Sequence, residues 1–460
     1  MSALQKLYEI VWGVPALVLI LAVGIYLTLR SGFAQIRLLP RALRDFYCRM
    51  FGKNEENEGV SSFQALCTAL AATVGTGNLA GVAGAIAIGG PGAIFWMWIC
   101  GILGMMIKFA EATLAVRYRA KNADGEDVGG PMYVIEQGMG NKWRFLSRFY
   151  CIFGVIAAFG VGNATQINTV IVSVNDILTQ FGGGPTTAGN LLMGIGLAIL
   201  VGAMLLGGAE KIGKTAERLV PFAAVLYLVM GVLVLVLRYD AVPKAFEAII
   251  QGAFHPQAVT GGMIGSALTT LRIGVSRGVF TNEAGMGTAG IAHGAARVHH
   301  PVEQGLMGIV EVFLDTIVIC TMTALVILCS GVSIPYGADV GVALTTESFT
   351  AVLGPWVPAV IALALCLFAL ATVLGWGLYG IRCAQYLFGS DIWKRFVYIQ
   401  IATVILASVL QAEAVWLMAE VVNGLMSIPN LIALLVLSPE VMGLLRQYKR
   451  KSSLCAVNGG

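Results

Sequence analysis

The chain has 460 residues, 57% of them hydrophobic and only 12% charged, with a mean hydropathy of +0.82. A soluble protein carries about twice that charged fraction, so a water-soluble enzyme or nucleic-acid-binding domain is excluded and a multi-pass membrane protein is indicated. The net charge of +4 discriminates nothing by itself, but the placement of the basic residues does.

Apolar runs occur at roughly 12–29, 62–88, 92–116, 150–174, 188–207, 219–237, 304–330, 355–378, 396–411 and 415–437. Each can cross a hydrocarbon core of about 30 Å, which takes about 20 residues of helix. An eleventh, weakly hydrophobic span is expected within 262–296. The first run lacks a basic leader and a small-residue cleavage site, so it reads as a permanent span. Segments 30–61, 117–150, 207–218, 294–303, 379–395 and 438–460 hold 6, 6, 3, 1, 3 and 4 Lys or Arg residues, 23 of the chain's 29. That bias puts those segments in the cytoplasm, the N-terminus outside and the C-terminus inside, in a plasma (inner) membrane. Nine cysteines form no CxxC or other metal-ligand spacing, and the four histidines are dispersed, with His299 and His300 in a loop. They read as apolar fillers and solvated loop residues.

The second span breaks the helical pattern. Residues 72–93, ATVGTGNLAGVAGAIAIGGPGA, contain seven glycines and no charge. Interior glycine weakens a helix by roughly 1 kcal/mol, and a freed backbone group in lipid costs several kcal/mol unless it finds a partner. Such a segment belongs among other helices, lining something. Close helix packing accounts for Gly81, Gly84 and Gly89 but not for Thr73, Thr76 and Asn78. The GTGN pattern lacks the Lys-Ser/Thr of a phosphate loop.

Residues 278–296, GVFTNEAGMGTAGIAHGAA, repeat the feature: Thr281, Asn282 and Glu283 precede Gly285 and Gly287. Five spans begin with each break. The expectation is an all-α integral membrane protein of eleven transmembrane helices. One N-terminal helix and a cytoplasmic loop (1–61) precede a core of two five-helix inverted repeats (62–258 and 259–440), each opening with a discontinuous helix, and a cytoplasmic tail (441–460) follows. Unwinding leaves amide donors at one half-helix end and carbonyl acceptors at the other. The donors suit a carboxylate and the carbonyls a cation, so a zwitterionic amino acid with Na⁺ meets both demands.

At these residues the chain resembles the alanine/glycine:cation symporter family, sodium:alanine symporters of the leucine-transporter fold. The similar segments are GTGNLAGVAGAIAIGGPGAIFWMW (75–98), GGPMYVIEQGMG (129–140), GVGNATQIN (160–168), RGVFTNEAGMGTAGIAHGAA (277–296), VEVFLDT (310–316) and LATVLGWGLYG (370–380). The resemblance implies Na⁺- or H⁺-coupled uptake of small neutral amino acids, with no cofactor beyond the coupling ion. It implies that the Thr76 and Gly77 amides meet the substrate carboxylate, with Gly75 giving the freedom to unwind. It further implies one sodium held by the Thr73 carbonyl, Asn78 and Thr281. A second would be held by the Ala71 and Val74 carbonyls with Thr372, where Ala371 replaces a second hydroxyl. Phe280 and Trp376 are expected as pocket walls, and Gln166 as a substrate hydrogen-bond partner.

Ionisable residues within spans default to functional hypotheses. Glu311 and Asp315 share one helix face, with Glu311 a candidate for the first cation site and Asp315 either protonated or paired. Lys108 and Glu111 are expected to pair with each other. Glu283 is a candidate for the substrate ammonium or for a proton. A channel filter, an HExxH site and a nucleophile–base pair are all missing from the sequence, which disfavours a channel or an intramembrane enzyme. Oligomeric state is not legible.

Overall fold

The computed structural model describes residues 14–52, 59–123, 125–180, 182–261, 266–338, 340–410 and 413–458. Residues 1–13, 53–58, 262–265 and 459–460, parts of the expected N-terminal segment, cytoplasmic loop, eleventh span and tail, lie outside them. Apart from one two-residue hairpin, Ala120–Lys121 with Asp127–Val128, the described chain is helical.

Helix α1 (Val14–Ser31) turns by 80° into α2 (Ala34–Phe51). Gly32 and Phe33, both at positive φ, make the corner. The expected loop at 30–61 is thus largely helix. Its apolar residues recur at helical spacing, burying Ala34 and Ala42 and packing Leu38, Leu39 and Phe46 on the core, while its arginines take the other face.

The first broken helix comprises α3 (Ser62–Thr73) and α4 (Gly77–Gly89), bent by 52°. The sequence SSFQ starts α3 with a capping box, the Ser61 hydroxyl accepting from the Gln64 amide and the Gln64 carbonyl oxygen from the Ser61 amide, both at 3.1 Å. Then follow α5 (Ala93–Arg117), α6 (Asn141–Thr179), α7 (Thr187–Leu205), α8 (Gly208–Leu237) and the amphipathic α9 (Val242–Phe254). The second broken helix is α10 (Ala267–Asn282) and α11 (Thr288–Gly294), separated by Glu283, Gly285 and Gly287 at positive φ. The remainder is α12 (Pro301–Cys329), α13 (Ala343–Leu353), α14 (Val357–Phe388), α15 (Ile392–Ala407), α16 (Glu413–Val436) and α17 (Ser438–Asn458).

Among the described residues, six helices (α5, α6, α7, α8, α12 and α14) are long and apolar enough to cross a membrane, and three bent pairs bring the number to nine. The broken α10–α11 and the 16-residue α15 fall outside that test. The broken helices, α5 and α12 lie innermost: almost every residue of α3, α11 and the first half of α12 is buried, whereas α7 and α8 keep apolar faces exposed. Both α6 and α12 contain a π-helical stretch, Gly160–Ala164 and Phe313–Cys320; the first packs on α14 at Trp376 and the second faces the breaks through Asp315 and Thr316.

Candidate substrate and cation site

A cavity of about 1200 Å³ enters between α6, α10 and α13 and reaches Thr76, Gly77 and Phe280 at the first break. Asp176, Arg277 and Glu347 stand along its walls, and Pro358, Ala362 and Leu365 contribute from the start of α14. The Phe280 ring lies 3.4 Å from where a Cβ on Gly77 would sit, so glycine there keeps the backbone open to the cavity.

At the break the Gly75 amide donates to Asn78 Oδ1 at 2.8 Å, and the Asn78 amide to the Gly75 carbonyl at 3.3 Å. In a continuous helix these two amides would serve the carbonyls of Ala71 and Val74, which are therefore left without helical donors. No hydrogen bond from the Thr76 or Gly77 amide is seen among the described residues. Thr372 Oγ1 lies 2.9 Å from where a Cβ on Gly75 would sit, placing this α14 hydroxyl against the break. Its proton goes to the Phe368 carbonyl at 3.0 Å. Gln166, just past the π stretch of α6, brings its carbonyl oxygen to 3.5 Å from the Thr76 hydroxyl, at the limit of a hydrogen bond.

Other candidates are oriented differently from the expectation. Asn78 Oδ1 turns back onto Gly75, and its Nδ2 donates to Asp315 Oδ1 at 2.7 Å. Thr281 donates its hydroxyl to the Gly278 carbonyl at 2.9 Å, and its γ-methyl faces Gly77 and Gly81. The Thr73 hydroxyl donates to the Ala69 carbonyl at 3.2 Å. Trp376 is fully buried one turn beyond Thr372 and is not among the cavity residues. Its indole Nε1 donates to Glu283 Oε1 at 3.1 Å, and Thr288 donates to Glu283 Oε2 at 2.6 Å. Both Glu283 oxygens thus already have protein donors.

The second break carries a carboxylate of its own. Glu111 Oε1 accepts from the amides of Gly285 (2.9 Å) and Gly287 (3.2 Å) and from Asn430 Nδ2 (2.7 Å). Asn282 mirrors Asn78: its Oδ1 accepts from the Ala284 amide at 3.0 Å and its Nδ2 donates to Thr316 at 3.2 Å. Each break is therefore closed by an asparagine whose Nδ2 reaches one of two adjacent residues, Asp315 and Thr316, in the π stretch of α12.

The expected Lys108–Glu111 pair is replaced by Lys108–Glu311, 2.8 Å apart with side chains 0% and 1% exposed. His293 Nε2 lies 3.0 Å from Glu311 Oε2, and Gln304 Nε2 2.6 Å from His293 Nδ1. Ser62 donates to Gln304 Oε1 at 2.6 Å, which makes Gln304 Nε2 the donor to His293 and leaves the imidazole proton on Nε2, facing Glu311. Glu311 is consequently occupied on both oxygens, and the His293 expected as a filler is the buried link in a chain joining α3, α11, α12 and α5. Sequence carried a weak signal for this chain in its intramembrane Lys and Glu, but none for which groups meet.

A profile of the sodium:alanine symporter family matches residues 1–456. The sodium/alanine symporter AgcS of Methanococcus maripaludis is 43% identical over 449 residues, covering 96% of this chain and 95% of that one. The chain belongs to the sodium:alanine symporter family. It is thus a multi-pass transporter of a sodium-coupled amino-acid symporter family, not an enzyme. The probable sodium/glutamine symporter GlnT of Bacillus subtilis is 36% identical, with 96% of this chain and 89% of that one covered. In solved structures the symporter matches MhsT, crystallised with L-phenylalanine, at a TM-score of 0.57 and 16% identity over 85% of this chain and 99% of that one. That likeness establishes the leucine-transporter fold.

Proposed function

We propose that this symporter couples inward movement of Na⁺ to uptake of small neutral amino acids, alanine and glycine, by alternating access of the first break to the two sides of the membrane. The observation that carries the reading is the chemistry at the end of the cavity: the Thr76 and Gly77 amides beside the Ala71 and Val74 carbonyls and the Thr372 hydroxyl. Amides at a half-helix N-terminus favour a carboxylate, and neutral oxygens favour a monovalent cation without adding charge. With Glu111 on the Gly285 and Gly287 amides, the first break is the one left for the substrate carboxylate. The Phe280 ring against Gly77 narrows the cavity where the substrate's side chain would lie, which favours small substrates.

The membrane arrangement that accompanies this reading has eleven spans, α10–α11 and α15 completing the nine, with the N-terminus outside, the C-terminus in the cytoplasm and the repeats at 62–258 and 259–440. The cavity then opens to the outside. A proton-coupled variant is favoured by one observation, that Glu111, Glu283, Glu311 and Asp315 are all buried with Lys108 as the cation among them. Uptake of labelled alanine into proteoliposomes, with Na⁺ and pH gradients imposed separately, decides between them. One Na⁺ at about 100 mV and a tenfold gradient supplies roughly 2.3 plus 1.4 kcal/mol, enough for several hundredfold accumulation. Accumulation driven by a pH gradient in Na⁺-free buffer overturns sodium coupling.

A further inference from the structure

Among the described residues seven buried side-chain polar atoms have no hydrogen-bond partner, and three of them, Glu111 Oε2, Tyr150 OH and Tyr379 OH, lie on the side of the breaks away from the cavity and are ionisable groups. They come from α5, α6 and α14. Tyr379 lies one turn beyond Trp376, edge to its ring with centroids 5.7 Å apart. Tyr150 and Tyr379 are within electrostatic range of each other and of Glu111. The other Glu111 oxygen holds the second break. Buried polar atoms without partners are uncommon and unfavourable, and several in one neighbourhood need a cause. Simple packing does not give one, because Phe in place of either Tyr keeps the ring and removes the cost.

We propose that Glu111 Oε2, Tyr150 and Tyr379 line the inner half of the translocation path, shut here beneath Trp376 and hydrated when that side opens. The groups are a carboxylate oxygen and two phenol oxygens, and the nearby Lys108 ammonium is taken up by Glu311, so the path receives the substrate's ammonium group and the coupling cation with their water. Release then relieves an unfavourable burial, which favours opening inward. Trp376, bonded to Glu283, is the plug between this segment and the cavity. The inference rests on the transporter reading given above.

The sign of the effect makes it testable. Tyr150→Phe and Tyr379→Phe remove a hydroxyl that is unpaired in this conformation and hydrated in the inward-open one, so each variant shifts the equilibrium toward the state described. Alanine binding from the cavity side is expected to be equal to or tighter than that of the wild type, and the thermal midpoint of the detergent-purified protein to rise. Turnover in proteoliposomes is expected to fall roughly five- to a hundredfold, the range set by one unpaired hydroxyl. Unchanged turnover overturns the proposal, and so does a joint fall of binding, turnover and thermal midpoint, which marks a purely structural hydroxyl. Wild-type sodium-driven uptake tests the transporter reading by itself, and the thermal midpoint tests the unpaired hydroxyls without any transport.

Discussion

Replacing Lys108 with Met keeps the length of the side chain but removes the ammonium 2.8 Å from Glu311. At an effective dielectric of about 20 that contact carries roughly 6 kcal/mol of Coulomb attraction. Desolvation of both groups offsets much of it, and removing one partner of a buried pair costs about 3–5 kcal/mol because the other charge is stranded. His293 still donates to Glu311, which places Lys108→Met toward the lower end of that range. Glu311→Gln strands the ammonium instead and is expected to destabilise similarly. In Lys108→Met/Glu311→Gln neither charge remains, and the Gln oxygen still accepts from His293. The double variant should recover about 2–4 kcal/mol of the summed single losses. Thermal unfolding of the four proteins in one detergent gives the cycle, and a Na⁺ titration of alanine uptake gives the functional arm. Because both Glu311 oxygens are engaged, Glu311→Gln should leave half-saturating Na⁺ within about twofold of the wild type once corrected for folded protein. A tenfold shift in Na⁺ dependence with unchanged stability refutes the reasoning and returns Glu311 to the cation site.

Asn78→Ala removes the cap on the Gly75 amide and the link to Asp315. It should raise half-saturating Na⁺ and the alanine dissociation constant together, about tenfold, because coupling between two bound species is reciprocal. Alanine binding titrated at several Na⁺ concentrations checks this, and an unchanged Na⁺ dependence rejects a cation at the first break. Thr372→Ala should alter Na⁺ dependence with a smaller direct effect on alanine. Gly162→Ala would put a Cβ 2.1 Å from Trp376 Cβ, an overlap that no indole rotation relieves, so α6 and α14 must move apart and strain the Trp376–Glu283 contact. A loss of about 1–3 kcal/mol in stability and a changed preference between alanine and larger neutral amino acids are expected. A wild-type thermal midpoint with unchanged competition by leucine would show that the contact is not constraining.

The sequence alone determined the class, the two breaks and the family. Hydropathy and charge placement are set by the bilayer, which imposes the same rule on every span whatever it packs against. Glycine beside polar residues in an apolar run marks a broken helix for equally local reasons, and 75–77 and 283–287 are where the helices part. Thr76, Gly77 and Phe280, singled out in the sequence at or next to a break, line the cavity, and their contact with substrate is part of the proposal. Tertiary structure decided the partners. Lys108 and Glu111 are one turn apart on α5, near enough to pair, yet Lys108 meets Glu311 and Glu111 meets Gly285, because packing against α12 and the second break brings competing partners that spacing along α5 does not reveal. Asn78 and Glu283 have the composition of ligands, but in this conformation their polar atoms are taken by Gly75, Asp315, Thr288 and Trp376. The α2 arm looks like a loop in the sequence because its arginines dominate its average hydropathy, although its apolar residues recur on one helical face. Which polar groups are joined and which are left alone, as with Tyr150 and Tyr379, depends on distances between helices that no local pattern encodes.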